Sequence, residues 1–499
     1  MILRCVLVTR PVLRTSLCLL MILIGSPAQT AEPLGEDAII ARSQLPASAV
    51  GYMVVDLGSK RVLASKGADR LFVPASVAKV PTTVAALDML GPNYRFQTRV
   101  YLKSDTRAAK PNGRVGGDLY LVGGGDPMLT GDHMLSMVQA LAAQGIREVS
   151  GRFLYDESFL PTITRISPVR PDHAAHNTGV GALSVNFNRF RVTWVRSGKQ
   201  AVLQTTTMSI TDRLKVEIGT IGFALGRRQR RSPGPFIYTE LGGRDHWIVS
   251  PYLRRRGHAW LPVRKVGPTS AEVFRKLGEE NGLSLPAAFP GKAPSDARLV
   301  HSFKSQPLTV VVRRLLYFSN NLAAELTGAV ATRTQTKQKL SLAQSGAEMA
   351  AWLKARMPQV KWTGFVLDNH SGLSLDSRMS PVQVLAMLRY AHSRRYGGVR
   401  YEALLKPYYL QRKAKPTGRY SVRAKSGTMN YIRGRAGYIR SVGGRVLAFA
   451  LFINQAERRR DFSGRTPKRT ARIRYRPRSW MYRARKLEHD LIARWVKTY

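Results

Sequence analysis

The chain has 499 residues, 44% of them hydrophobic, which is enough for two or three domains with sizeable cores. Its 79 Lys and Arg against 31 Asp and Glu give a formal charge of +48, an excess that attracts polyanions at long range. Both cysteines, Cys5 and Cys18, lie in the first 31 residues. Beyond that point, disulfides, a thiol nucleophile and a Cys-based zinc site are excluded.

Residues 1–31 read as a secretory signal peptide. Arg4, Arg10 and Arg14 precede the apolar run Leu17-Cys-Leu-Leu-Met-Ile-Leu-Ile24, and Gly25-Ser-Pro-Ala-Gln-Thr-Ala31 offers small residues for a cut after Ala28 or Ala31. An uncleaved anchor is the alternative, although the run is short for a transmembrane helix. Removing three arginines and no acid leaves +45. The expected location is periplasmic or exported, and export argues against nucleic acid as the target. An anionic membrane surface or a wall polymer fits the charge, and so does a cationic surface tolerated in a basic proteome or acidic medium.

Val50-Gly-Tyr-Met-Val-Val-Asp-Leu57 and Arg61-Val-Leu-Ala64 form a hairpin pattern through Gly58-Ser59. It leads into Leu71-Phe-Val-Pro-Ala-Ser-Val-Ala-Lys-Val-Pro81 and the apolar stretch 82–90. Residues 96–300 mix short alternating strands, such as 99–102 and 118–122, with a helical pattern over 133–143 and β-branched residues over 205–221. The basic run 227–235 reads as a solvated loop. Helical patterns return over 307–331 and over 380–393, where Ser380 is the N-cap and Pro381 the first helical position. Residues 436–440 and 445–453, separated by Gly443-Gly444, read as a hairpin with one fully buried strand. Strand–helix material at both ends thus brackets a β-rich middle. Residues 457–488 carry thirteen Lys or Arg against three acids. They read equally as a polyanion-binding arm or as a solvated loop and helix face, ending in a packed helix over 487–495.

Ser76-Val-Ala-Lys79 is the one Ser-x-x-Lys in the chain. On a helix it places Ser76 and Lys79 one turn apart, so an amine whose pKa is lowered by burial or by a nearby cation could activate the hydroxyl. About two such strings are expected by chance at this length, so the motif needs partners. Ser319-Asn-Asn321 opens a helical run. Lys425-Ser-Gly427, the one Lys-[Ser/Thr]-Gly, precedes the terminal hairpin, where an edge strand could pair with a peptide. Gly123-Gly-Gly-Asp126 lacks a following Lys-[Ser/Thr] and reads as a turn, His370 reads as part of a loop, and no His-Glu-x-x-His is present. No metal or cofactor is expected.

In this order the three strings resemble the signature boxes of the serine DD-peptidases of the penicillin-binding protein family. The 243 positions separating Ser76 from Ser319 narrow the resemblance to the class C low-molecular-mass members, the S13 D-alanyl-D-alanine carboxypeptidase/endopeptidase family. Gly123-Gly-Gly-Asp-Pro127, Gly181-Ala-Leu-Ser-Val-Asn-Phe-Asn188, Asp368-Asn-His-Ser-Gly-Leu373 and Arg378-Met-Ser-Pro381 are similar to that family too.

The resemblance implies an α/β (α+β) fold: a penicillin-recognising, transpeptidase-like domain with an antiparallel sheet and helices on both faces. It would be built from residues 32–95 and 301–499 and interrupted by a β-rich insertion, 96–300, of two subdomains. It implies Ser76 as nucleophile, Lys79 as base, Ser319 as proton relay to the leaving amine and Asn321 on the substrate amide. Lys425 would hold Lys79 neutral and, with Ser426, receive the terminal carboxylate. Gly427 completes the box, and the N–H groups of Ser76 and Thr428 would form an oxyanion hole. Met429 would line the side-chain pocket, with Asp156 a candidate to grip that side chain's amine; Leu160 stands where the family usually has an aromatic. Ser426 replaces the commoner threonine and keeps the hydroxyl. The implied substrates are peptidoglycan stem peptides, with β-lactams as covalent inhibitors. A β-lactamase would share the boxes, and a non-catalytic cationic wall-binding protein is the non-enzymatic alternative.

Overall fold

Five antiparallel strands form the central sheet, in the order Ser421–Met429, Ile432–Arg440, Val446–Asn454, Val50–Asp56 and Val62–Lys66. The computed structural model describes residues 34–103, 112–197, 200–208, 214–226, 235–250, 252–410, 418–459 and 470–499. The expected leader and most of the basic loop at 227–235 lie outside them. The chain from Glu36 to Tyr499 forms one compact unit.

Alternation along the strands sends neighbouring side chains to opposite faces. In Val446–Asn454, Leu447, Phe449, Leu451 and Ile453 join one core, and Ala448, Ala450 and Phe452 another. The first core is covered by the helices Glu36–Arg42 and Thr470–Thr498, whose Trp480, Leu487, Leu491 and Trp495 are buried there. The second is covered by Lys79–Leu90, Leu308–Phe318, Asn321–Thr336, Leu342–Arg356 and Pro381–His392. The small residues on that side of the strand leave room for helices to approach. The mixed α/β architecture with helices on both faces of an antiparallel sheet is therefore present.

Between the two parts of this sheet the chain builds further cores. Gln97–Lys103 and Arg298–Lys304 pair antiparallel within a five-stranded mixed sheet that also holds Asp118–Val122, Phe153–Asp156 and Ala288–Pro290. Gly131–Ala143 and Val266–Glu280 pack on it. A four-stranded and a three-stranded sheet enclose a separate core around Phe190 and Trp247. The sequence boundary at residues 300/301 cuts a strand: Arg298–Lys304 continues to residue 304 against Gln97–Lys103, so the inserted sheet runs that far.

The helical pattern over 307–331 is two helices. Ser319 stands in the left-handed region (φ 55°, ψ 37°), a conformation that ends a helix. Asn320 then restarts the chain by accepting a hydrogen bond from Ala323 N at 3.0 Å. The break lifts Ser319 and Asn321 out of a continuous helix and presents both to a cleft. At 380–393 the expected cap is present, with Ser380 and Gln383 forming a capping box.

Candidate active site

Ser76 lies in the short 3-10 turn Ala75–Ala78, which runs straight into the helix Lys79–Leu90. Ala75, just before it, has φ 47°, a strained setting for a residue with a Cβ, and is held by tight surroundings. Gly427 on the edge strand meets that turn: a Cβ there would lie 2.4 Å from Pro74 O and 3.1 Å from Ser76 N. Only glycine lets the strand come this close to the nucleophile's backbone. Gly372 approaches from the other side, where a Cβ would lie 1.9 Å from Ala75 O.

The fold brings the three boxes together. Lys79 Nζ donates to Ser76 Oγ (3.1 Å), Asn321 Oδ1 (2.8 Å) and the Ser371 carbonyl (2.8 Å). Lys425 Nζ donates to Ser319 Oγ (2.8 Å) and the Ser426 carbonyl (2.6 Å). Asn321 Nδ2 donates to the His176 carbonyl. Ser76, Ser319, Asn321, Thr428 and Met429 share a cleft of 830 Å³. Ser426 and Gly427 lie beside them on the strand Ser421–Met429.

Burial sets the charge states. Lys79 is fully buried, and desolvation lowers its pKa to about 7, partly offset by the Glu325 carboxylate. Lys425 is pushed well below the usual lysine range, first by burial, then by the positive charges of Lys79, Arg435 and Arg433. The expectation that Lys425 is the cation keeping Lys79 neutral is corrected: removal from water lowers the Lys79 pKa, and the charge of Lys79 instead helps to lower that of Lys425. Glu325 accepts from His370 N (2.9 Å) and Ser371 N (3.0 Å), and so holds the segment whose carbonyl receives Lys79. Burial raises its pKa, against the hydrogen bonds from Ser371 and His370 and the charge of Lys79.

Asp156 is not brought to the cleft. It ends the strand Phe153–Asp156, and its carboxylate accepts from Ser158 N (2.7 Å) and Ala293 N (2.9 Å), which uses it as a loop fastener. His370 serves its loop, with Nε2 2.7 Å from Ser345 Oγ, and burial lowers its pKa to about 3. In the Gly-Gly-Gly-Asp turn, Asp126 accepts from Met128 N.

Several cleft residues had no motif to mark them. Arg170 and His176 come from a loop of the inserted region, pinned by the Arg264 guanidinium on the carbonyls of Thr164, Asp172 and Asn177. Glu325 did carry a signal, since it follows Asn321 by four residues and so shares its helix face. Across the sheet, Glu488 accepts from Arg433 and Arg435 at 2.7–2.8 Å, and Arg433 also donates to Thr428 Oγ1.

Among solved structures, penicillin-binding protein 4 of Haemophilus influenzae superposes with a TM-score of 0.71 at 17% identity, covering 93% of this chain and all of that one. A structure of the same protein with a β-lactam bound gives 0.68. The fold is that of a penicillin-recognising serine peptidase, and the clustered boxes agree with it. A D-alanyl-D-alanine carboxypeptidase of Actinomadura sp. (strain R39) is 26% identical over 448 residues, 84% of this chain and 80% of the relative. The D-alanyl-D-alanine carboxypeptidase DacB of H. influenzae is 21% identical over 443 residues, 82% of this chain and 85% of the relative. The model of the D-Ala-D-Ala carboxypeptidase 3 (S13) family matches residues 36–471, and the chain belongs to that family of serine-type carboxypeptidases.

Proposed function

We propose that the protein is an exported serine D-alanyl-D-alanine carboxypeptidase with DD-endopeptidase capacity, cleaving peptidoglycan stem peptides through an acyl-enzyme on Ser76. One observation carries this reading: a lysine lowered to about 7 by burial stands 3.1 Å from a serine hydroxyl in an open cleft. Near neutral pH a large share of Lys79 is the free amine, so it accepts the Ser76 proton as Oγ attacks the penultimate D-alanine carbonyl. The amide C–N bond then breaks, the leaving amine takes up a proton by way of Ser319, and water later hydrolyses the ester.

Lys425 and Ser426 receive the terminal carboxylate. An arriving anion favours the charged form of Lys425, so binding opposes the desolvation that holds its pKa down. Asn321 divides its amide between Lys79 and the His176 carbonyl and is placed to meet the substrate amide. The same geometry supports acylation of Ser76 by β-lactams. The basic, then apolar, then small-residue pattern of residues 1–31 supports export.

Mass spectrometry after exposure to a β-lactam tests the reading. The wild type gains one adduct and Ser76→Ala gains none. A wild type without an adduct sinks the function, and an adduct that persists in the variant sinks the assignment of Ser76.

A further inference from the structure

The C-terminal helix Thr470–Thr498 does more than cover the sheet. Arg478, Met481, Tyr482 and Arg485 line the catalytic cleft. Their spacing of three, four and seven residues places them on one helical stripe, roughly 10 Å long. A different face, with Trp480, Ala484 and Leu487, is buried against the sheet. The stripe is therefore fixed in direction by a packed core.

Its chemistry is unspent. Tyr482 is 72% exposed. Arg478 and Arg485 are exposed, and neither pairs with a carboxylate among the described residues, whereas Lys486 and Arg494 on the same helix bind Asp490 and Glu36. Arg170 adds a third guanidinium to the cleft, and among the described residues no Asp or Glu lines it. A concave site with cations of one sign and no acid concentrates anions, and guanidinium is the group best shaped for carboxylate.

We propose that this stripe is a binding wall for the carboxylates of the stem peptide, so that the enzyme selects peptides with free carboxylates over amidated ones. The proposal rests on the stem-peptide reading above. It favours substrate over a separate wall polymer or membrane because the stripe faces the cleft that holds Ser76. Its length matches about three residues of extended peptide, so acidic groups on neighbouring residues reach both arginines.

The test uses two synthetic peptides ending in D-alanyl-D-alanine, identical except that one carries free carboxylates upstream of the scissile bond and the other carboxamides. The wild type prefers the free acid by about tenfold in kcat/KM, mostly through KM, with about threefold from each arginine. Arg478→Gln/Arg485→Gln brings the ratio to within about twofold, and 0.5 M salt does the same to the wild type without any substitution. Formation of a β-lactam adduct is read alongside. If the wild type neither hydrolyses nor forms an adduct, the stem-peptide reading falls and takes the wall with it. If both activities are present but the ratio is near one, or survives in the variant, the wall alone falls. It falls too if the variant loses both peptides equally with a lowered Tm, or loses only adhesion to anionic vesicles.

Discussion

Glu325 and Glu488 are both fully buried carboxylates, set on opposite faces of the same sheet, and they are stabilised in different ways. Burial alone would raise the Glu488 pKa, but the charges and hydrogen bonds of two guanidiniums together outweigh it and hold the pKa below the usual carboxylate range. Glu325 accepts from two backbone N–H groups and the Ser371 side chain and feels the charge of Lys79, but burial wins, so its pKa rises. The outer face carries a closed ion cluster that ties the C-terminal helix to the strand beside Thr428. The floor of the cleft carries a looser one, in which no cation is matched so completely that it cannot release a proton. A structural ion pair gains from tight pairing, whereas a catalytic lysine requires that its partner hold it weakly.

The largest effect that sharpens this contrast is expected at Glu488. Glu488→Gln leaves Arg433 and Arg435 buried without their anion and should cost about 3–5 kcal/mol of unfolding free energy, measured in urea. The native pKa of Glu488 lies below its unfolded value. Its contribution is therefore present above the unfolded carboxylate pKa and is lost as pH falls through the folded one. A loss below 1 kcal/mol would show that the cluster does not hold the helix.

Glu325→Gln should act on pH instead. The carboxylate favours the charged form of Lys79, so its removal lowers the lysine pKa further below about 7. The neutral amine then persists to lower pH, and the acidic limb of the acylation profile moves in the acid direction. The optimum rate should fall by no more than about tenfold, less than the loss expected when a general base is removed. A limb that stays in place or moves alkaline breaks the comparison.

What the chain disclosed in advance follows from what each feature depends on. Ser76, Ser319 and Lys425 were legible because their chemistry demands those residue types in short strings, and the Ser380 cap and the alternation over 446–454 because they are local. The break at Ser319 was hidden inside a helical pattern, since no glycine marks its left-handed backbone and the Lys425 amine that meets its hydroxyl lies 106 residues away. Asp156 was read as a substrate grip, but its oxygens are claimed by backbone from residues 158 and 293. For the lowered Lys79 pKa the sequence leaves burial and a neighbouring cation open and the family resemblance implies Lys425; burial decides it, a property of packing that no string displays. The stripe at 478–485 was visible as basic sequence, but the direction it faced came only from the core behind it.

The smallest effect is expected of Ser426→Thr, on the edge strand Ser421–Met429. Ser426 stands opposite Arg435 in the ladder, one residue from the buried Lys425, and is half-buried. Its proposed task needs a hydroxyl for the substrate carboxylate and nothing more. Threonine keeps that hydroxyl and suits a strand backbone, so Ser426→Thr should hold kcat/KM for a D-alanyl-D-alanine peptide within about twofold. Ser426→Ala removes a hydrogen bond to a charged group, which is worth about 1.5–3 kcal/mol, and should lower kcat/KM by about ten- to a hundredfold. If alanine is tolerated as well as threonine, the terminal carboxylate is held by Lys425 alone, and the edge strand contributes backbone without side-chain recognition at this position.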